Sequence, residues 1–312
     1  MNAIDRYSVA ARHYAGYLLV RISICVLQTL HIESCHTLAR ALAVLANDVL
    51  RLRRKVVDEN LRHAYPRRSA AWRSRLGRAM WEHLFLFVAE VAQAPRKIHE
   101  TNWRQHIRLR DARPLVQALL DERPLLLVSA HFGHFEMAGY LLGMMGFPTH
   151  TVARTLDNPY LDRFLNRFRS GTGQRMIPKR GGYAQIAEVL ASGGTMAFLA
   201  DQYAGSKGCW VDFFGRPAST HKAIALFALH HDAPLAVGCC TRRQGRPLQF
   251  EMDFLALADP RSGEPHVGGV RELTAWYTSQ LEAAIRRMPE QYWWVHRRWK
   301  DHRSQRPSKR AA

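Results

Sequence analysis

The sequence is short of acidic residues and of lysine. Its 312 residues include 26 Asp and Glu against 45 Lys and Arg, which gives a formal charge of +19. Only seven of the basic residues are Lys, so most are Arg, whose planar guanidinium makes forked contacts with phosphate and carboxylate. The imbalance predicts an anionic partner, namely nucleic acid, an anionic membrane or an acidic protein, and disfavours an ordinary neutral metabolic enzyme.

Motifs for nucleotides, covalent catalysis and metals are also missing. The sequence contains no P-loop, no G-x-G-x-x-G fingerprint and no G-x-S-x-G elbow, so neither a nucleotide cofactor nor an acyl-enzyme has support. The five cysteines fit neither a zinc knuckle nor a disulfide scaffold, which favours a reducing compartment. With 47% hydrophobic residues, the chain is nevertheless too apolar to be a disordered polycation.

The most apolar stretch near the start, residues 14–30, is too short for a spanning helix and carries Arg21 at its middle. On a helical wheel Tyr14, Tyr17, Arg21 and Gln28 share one narrow sector, and apolar residues cover most of the remainder. This pattern predicts a helix that lies in the membrane interface. An ordinary amphipathic helix packed on the protein is the alternative, and a cleaved signal peptide is a weaker one.

Basic clusters lie at 51–78 and at 296–310, the second interleaved with tryptophan. An anionic membrane surface attracts this composition, and a nucleic-acid backbone would also suit it. No helix-turn-helix, zinc-finger or RNA-binding signature is present. We therefore divide the chain into a membrane-associating helical segment (1–50), an α/β domain (51–295) and a basic C-terminal tail (296–312).

Apolar strand-like runs alternate with helical patterns after about residue 114. The runs at 124–130, 150–154, 195–200, 234–240 and 248–254 are predicted strands. This alternation predicts an α/β fold with a mostly parallel central sheet flanked by helices, preceded by the N-terminal helical region. Ligands of such sheets bind beyond the carboxyl ends of the strands, which selects the loops that begin at His131, after Arg154 and at Asp201.

The segment from His131 to Glu136 follows a strand and opens a helix. If His131 lies in the loop and Glu136 in the first helical turn, the chain can fold back at Gly133 and bring the two side chains together. A carboxylate on one ring nitrogen fixes the tautomer and leaves the other nitrogen free to act as a general base. His131 and His134 also form an H-x-x-H pair, but no third ligand stands out, so no metal is expected.

The wider set of motifs resembles the bacterial lipid A biosynthesis acyltransferase family, of the glycerolipid acyltransferase superfamily. The resemblance covers roughly residues 50–300. It is carried by RRKVVDENLRHAYP, AHFGHFE, VARTLDNPYLDRFLNRFRSGTG, FLADQYAGSKGCWVDFFGRPAST and YWWVHRRWK. Family members often have Asn-Trp where this chain has His134-Phe135.

The resemblance implies roles for individual positions. His131 matches the catalytic histidine and Glu136 its partner acid. The other matched positions are implied to bind substrate, near the phosphorylated acceptor, beside the catalytic crevice or along an acyl groove: Arg154, Asn158, Asp201, Gln202, Phe213, Phe214 and Gly215. From the residues alone, Asp201 could merely cap its loop, Arg154 could be a solvated charge, and the two phenylalanines could belong to the core.

The implied reaction moves a fatty acyl chain from an acyl carrier protein thioester to a hydroxyl of a lipid A precursor, with no cofactor. The implied partners are the acidic carrier protein, an anionic membrane and a phosphorylated glycolipid, without nucleic acid, at the cytoplasmic face of the inner membrane. Acylation of another membrane lipid or glycolipid is the rival reaction. A non-catalytic basic membrane- or nucleic-acid-binding protein is the rival from a different class.

Overall fold

The computed structural model describes residues 3–243 and 245–300, so the end of the predicted basic tail lies outside the described residues. The helices are α1 (Ala3–Thr29), α2 (Ile32–Val44), α3 (Arg54–Ala64), α4 (Ala70–Lys97), α5 (Trp103–His106), α6 (Arg113–Leu120), α7 (Phe135–Met144), α8 (Pro159–Ser170), α9 (Tyr183–Ala191), α10 (Ala223–His230) and α11 (Val270–Arg287). The strands are β1 (Ile107–Arg110), β2 (Leu125–Ser129), β3 (His150–Ala153), β4 (Arg175–Pro178), β5 (Thr195–Leu199), β6 (Cys209–Phe213), β7 (Arg216–Thr220), β8 (Leu235–Arg242) and β9 (Phe250–Ala258).

Seven strands form one sheet in the order β1-β9-β8-β2-β5-β3-β4. Five of them, from β8 to β4, run parallel, while β9 runs antiparallel to β8 and carries β1 parallel to itself. Strands β2 and β8 are largely buried because helices cover the sheet, and their sequences are accordingly continuous apolar runs. The structure therefore confirms the predicted α/β class with a mostly parallel, helix-flanked sheet.

Strands β6 and β7 form a separate hairpin closed by Phe214 and Gly215. Both residues have positive φ, +57° and +73°, as a two-residue hairpin turn requires. Phe213 and Phe214 are 1% and 5% exposed and pack in the main core against Trp294 and Trp299. Phe213 and Phe214 are therefore core residues, which was the alternative to the acyl-groove role that the resemblance implied.

The N-terminal helix α1 packs its polar and aromatic sector on the protein. Arg21 lies over Phe164 of α8 at 5.0 Å, and Gln28 donates to the Ala92 carbonyl of α4 at 2.7 Å. Side chains on the opposite face point outward, with Leu19 67% and Ile22 61% exposed. Among the described residues, the helices are too short or too polar to cross a membrane.

The first residues of the predicted tail belong to the folded body. Arg298 is 2% exposed and donates to the Ser219 carbonyl at 2.5 Å and to Thr220 Oγ1 at 2.6 Å. The backbone carbonyl of His296 accepts a hydrogen bond from Asn60 Nδ2 at 2.7 Å. The chain from 296 to 300 thus ties α3, β7 and the loop after β5 together.

Candidate active site

His131 lies directly beyond the carboxyl end of β2 and is bonded to a buried carboxylate. Its Nδ1 lies 2.8 Å from Asp201 Oδ1, and its backbone N–H donates to the same oxygen at 2.9 Å. Asp201 follows β5, the strand beside β2, so the parallel pairing of these strands brings the two residues together. Burial alone would raise the pKa of Asp201, but the adjacent His131 ring and N–H hold it far below its usual range.

The carboxylate on His131 therefore comes from Asp201 and not from Glu136. No hydrogen bond in the described part of the chain joins His131 to Glu136. Glu136 instead forms a forked ion pair with Arg169 of α8, in which Arg169 Nε donates to Oε2 at 3.0 Å. The expectation that the chain folds back to join His131 and Glu136 is thus wrong, because a residue 70 positions away already occupies Nδ1.

The second ring nitrogen of His131 faces Gln202 and the C-terminal segment. Gln202 Nε2 lies 3.3 Å from His131 Nε2. The ring of His296 lies 4.9 Å from that of His131 in an edge-on arrangement, and Trp293 stacks on His296. Burial, and then the charge of His131, lowers the pKa of His296 to about 4, so this second imidazole is neutral at physiological pH.

Backbone geometry fixes the loop that carries His131. Gly133 has φ +62°, and a Cβ there would come within 2.1 Å of the Cys240 carbonyl, so the position requires glycine. The Trp293 N–H donates to the His131 carbonyl at 3.0 Å, and the Gly133 N–H donates to the Gln291 carbonyl at 3.0 Å. The C-terminal segment thus pairs with the loop like a short strand.

A buried charged network supports the same loop from below. Glu90 is completely buried and accepts from Arg242 Nε at 2.8 Å and from the Leu248 N–H at 2.9 Å. His83 Nε2 lies 3.0 Å from the Gly133 carbonyl, and His134 Nε2 lies 3.4 Å from Glu90 Oε2. Burial would raise the pKa of Glu90, but Arg242 and His134 hold it well below its usual range.

His131 opens onto an apolar cavity of about 550 Å³. Residues of β2, β5 and β3 form one wall, for example Leu127, Ala197 and Thr151. Helices α6, α7 and α8 supply the facing wall, and the cavity extends over the sheet edge to Ile224 and Phe227 of α10. The Glu136–Arg169 pair and Gln202 also line it, together with other polar side chains such as Gln174 and Asp253.

The remaining predicted binding residues have other surroundings. Arg154 lines the cavity mouth, but its side chain is 72% exposed and paired with Asp157 at 2.6 Å. Asn158 caps α8 by accepting from the Tyr160 and Leu161 N–H groups, and it donates to the His13 carbonyl at 2.7 Å. Phe213, Phe214 and Gly215 do not line the cavity.

The H-x-x-H pair does not form a metal site. His134 is completely buried between the Phe87 ring, 4.1 Å away, and Glu90. Among residues 3–243 and 245–300, the His, Cys, Asp and Glu side chains form no group of three or more that could hold a metal ion.

Sequence reasoning missed several residues around His131. Arg169, His296 and Trp293 received no individual role, although the last two stand in the quoted YWWVHRRWK run. A cluster of aromatic and basic residues close to the end of a basic chain is typical of a membrane-facing tail. Only the structure shows that this segment packs against the loop that carries His131.

An imidazole held by a buried aspartate at the mouth of an apolar cavity defines the site of an enzyme that acts on a lipid-like substrate. The bacterial lipid A biosynthesis acyltransferase family model matches residues 5–301. The chain belongs to that family, and the resemblance in its motifs is thereby confirmed.

Individual relatives agree with the family match. The chain is 25% identical over 269 residues to a lipid A biosynthesis palmitoleoyltransferase of Escherichia coli K12, with 84% of each chain covered. It is 26% identical over 309 residues to a lipid A biosynthesis lauroyltransferase of the same organism, with 96% of this chain and 97% of the relative covered. The crystal structure of a 1-acyl-sn-glycerophosphate acyltransferase from Thermotoga maritima is also similar, at a TM-score of 0.41 and 12% identity, covering 87% of this chain and 100% of that one.

Proposed function

We propose that the protein transfers a fatty acyl chain from an acyl carrier protein thioester to a hydroxyl group of a lipid A precursor. The observation that carries this proposal is the His131–Asp201 pair at the mouth of the apolar cavity. A general base beside a space for an alkyl chain is what ester formation from an activated acyl group needs. The family of the chain and the names of its relatives support lipid A as the acceptor.

His131 acts as the general base through Nε2. Its Nδ1–H donates to the ionised Asp201, which leaves the Nε2 lone pair free for the proton of the attacking hydroxyl. The hydroxyl oxygen bonds to the thioester carbonyl carbon as Nε2 takes the proton, and Asp201 stabilises the imidazolium. The carbon–sulfur bond then breaks, and Nε2–H returns the proton to the leaving thiolate, which releases a free thiol and an ester.

Asp201 thus orients and stabilises the His131 ring, the role that the resemblance implied for Glu136. Glu136 fixes Arg169 at the cavity wall, 18% exposed, within the same lining as His131. A guanidinium held there suits the negative charge that develops on the carbonyl oxygen, or an anionic group of a substrate. Gln202, beside Nε2, is placed to contact the attacking hydroxyl.

The charge of the chain supports an anionic donor and an anionic acceptor. A net charge of +19 favours encounter with a small acidic carrier protein and with a phosphorylated glycolipid. No cofactor is needed, because the thioester is already activated. Nucleic acid is not among the proposed partners.

The outward face of α1 supports attachment to a membrane, which by our proposal is the cytoplasmic face of the inner membrane. Its Leu19 and Ile22 project into solvent. Val49 (65%) and Leu50 (57%), at the end of the π-helical segment that continues α2, are exposed beside the basic Arg51. Exposed apolar side chains next to cations are typical of helices that lie in the interface of an anionic bilayer.

The mass of lipid A from cells with and without this protein tests the proposal. We expect lipid A from cells that lack it to be lighter by one acyl group, to regain that mass with the wild-type protein, and not to regain it with a stably folded His131→Ala variant. An unchanged lipid A together with an acyl group lost from another lipid would favour the rival acceptor.

A further inference from the structure

The Asp201 carboxylate presents one oxygen to His131 and leaves the other unpaired. Its Oδ1 lies 2.8 Å from His131 Nδ1 and accepts from the His131 N–H at 2.9 Å. Its Oδ2 is buried and forms no hydrogen bond in the described part of the chain. Because an ionised carboxylate inside a protein is strongly destabilised unless donors face both oxygens, Oδ2 requires a donor.

The hydroxyl group of Tyr292 has the matching character. Tyr292 is 2% exposed, and its hydroxyl is buried and without a hydrogen bond to any described residue. Burial, and then the negative charge of Asp201, raises the pKa of this phenol well above its usual range. The hydroxyl therefore keeps its proton at physiological pH and senses the Asp201 carboxylate, although the two groups are not yet aligned as a hydrogen bond.

The backbone fixes Tyr292 beside the loop that carries His131. Tyr292 pairs with Phe132 in an antiparallel bridge, and the N–H of the next residue, Trp293, donates to the His131 carbonyl at 3.0 Å. The Tyr292 ring packs edge-on against Trp294, with the ring centroids 4.7 Å apart. Tyr292 thus belongs to the segment that already holds His131, and packing limits the directions in which its hydroxyl can point.

A buried guanidinium of the same segment favours the ionised form of Asp201. Arg298 is 2% exposed, and its two hydrogen bonds to β7 go to uncharged oxygen atoms. Burial lowers the pKa of Arg298, and the nearby Tyr292 and Asp201 oppose that effect. Tyr292 therefore meets a carboxylate and not a neutral acid. The other titratable groups near Asp201 are those of His131, His221 and His296.

We propose that Tyr292 is a positioning residue whose hydroxyl donates to Asp201 Oδ2, an inference that rests on the proposed acyl transfer. Hydrogen bonds of active sites are often poorly aligned without substrate and tighten when it binds. A donor on Oδ2 prevents rotation of the carboxylate, so Oδ1 stays directed at His131 Nδ1. The positive end of the O–H dipole also opposes protonation of His131, so the imidazolium returns its proton to the leaving thiolate more readily.

The experiment removes this hydroxyl and keeps the ring. Tyr292→Phe is compared with Tyr65→Phe, the matched control, because the Tyr65 hydroxyl is also buried and unpaired among the described residues but lies near Arg286 and Glu282. Each substitution deletes one oxygen atom, so both variants are expected to fold. We measure kcat and KM for acyl transfer from the carrier thioester, in the wild-type and in the Asp201→Asn background.

We expect Tyr292→Phe to lower kcat about 10- to 100-fold, the effect of losing a hydrogen bond to a charged group, with KM for the thioester within about twofold. In the Asp201→Asn background the same substitution should change kcat less than about threefold, since Tyr292 acts through the Asp201 charge. Tyr65→Phe should change kcat less than about threefold in both backgrounds.

Two results would overturn the inference. One is a folded Tyr292→Phe variant with kcat within about threefold of the wild type. The other is a loss of kcat as large in the Asp201→Asn background as in the wild type, because a merely structural role would lower both alike.

A titration without turnover separates this inference from the proposed function. Protonation of His131 is followed by NMR of histidine-labelled protein, with His131→Ala used to assign the signal. Without the O–H dipole His131 should hold its proton to higher pH in Tyr292→Phe, whereas Tyr65→Phe should match the wild type. If the wild type transfers no acyl chain but this shift occurs, the proposed function is wrong and the role of Tyr292 stands. If transfer occurs and both the shift and the loss of kcat are absent, the role of Tyr292 is wrong and the proposed function stands.

Discussion

Replacing Asp201 by Asn removes the charge that stabilises protonated His131. With 2.8 Å between Nδ1 and Oδ1 and an effective dielectric constant of about 20, the attraction in the imidazolium state is about 6 kcal/mol. At 1.36 kcal/mol per factor of ten, this corresponds to about four orders of magnitude in rate. In serine-protease triads the same substitution costs about 10⁴.

We therefore expect Asp201→Asn to lower kcat for acyl transfer by 10³- to 10⁴-fold, measured as thiol release from an acyl carrier protein thioester with the lipid acceptor present. The amide oxygen can still accept from the His131 N–H, so the loop should keep its conformation. Asp212→Asn, on an exposed residue of β6, is the control and should leave kcat unchanged. A folded Asp201→Asn variant with kcat within tenfold of the wild type would refute the general-base assignment.

Three further results are expected. Glu136→Gln leaves Arg169 without its carboxylate partner in a mostly buried position. Urea unfolding should therefore show a loss of about 2–4 kcal/mol in the free energy of unfolding. A loss under about 0.5 kcal/mol would contradict a stabilising ion pair. His296 has a folded pKa of about 4, below its unfolded value near 6.5, so the unfolded chain takes up the proton first as the pH falls. Lowering the pH from 7.5 to 5 should therefore reduce the free energy of unfolding by about 2 kcal/mol through this group. Parallel unfolding curves of His296→Gln should lack that loss. High salt should release the protein from anionic vesicles in a flotation assay and slow its reaction with the carrier thioester, and indifference of both to salt would count against electrostatic encounter.

The architecture could be predicted because the central strands are apolar runs, of which β2 and β8 are largely buried. The apolar runs at 124–130, 195–200 and 234–240 correspond to β2, β5 and β8, the middle of the sheet. The outer strands β1 and β4 were not predicted. The sequence IRLR alternates charged and apolar residues over only four positions, and RMIP is a four-residue run that ends in proline. The role of both as sheet edges is decided by neighbours far away in the chain.

The site was only partly predictable. The rule that ligands bind beyond the carboxyl ends of parallel strands selected the loops of His131 and Asp201 correctly, and the structure joins them. The partner of His131 was misassigned because spacing within one loop suggested Glu136, whereas strand pairing brings Asp201 from 70 residues away. The buried Glu90–Arg242 pair spans 152 positions, and no local pattern reveals it.

By our proposal this chain makes an ester from a thioester and a lipid hydroxyl, with His131 as the base. The most direct measurement incubates the purified protein with an acyl carrier protein thioester and a lipid A precursor and weighs the lipid by mass spectrometry. We expect the acceptor to gain one acyl group, with equimolar thiol released, and no gain with folded His131→Ala. An acceptor of unchanged mass would refute the proposed acyl transfer, and the same product from His131→Ala would refute the role of His131 as the base.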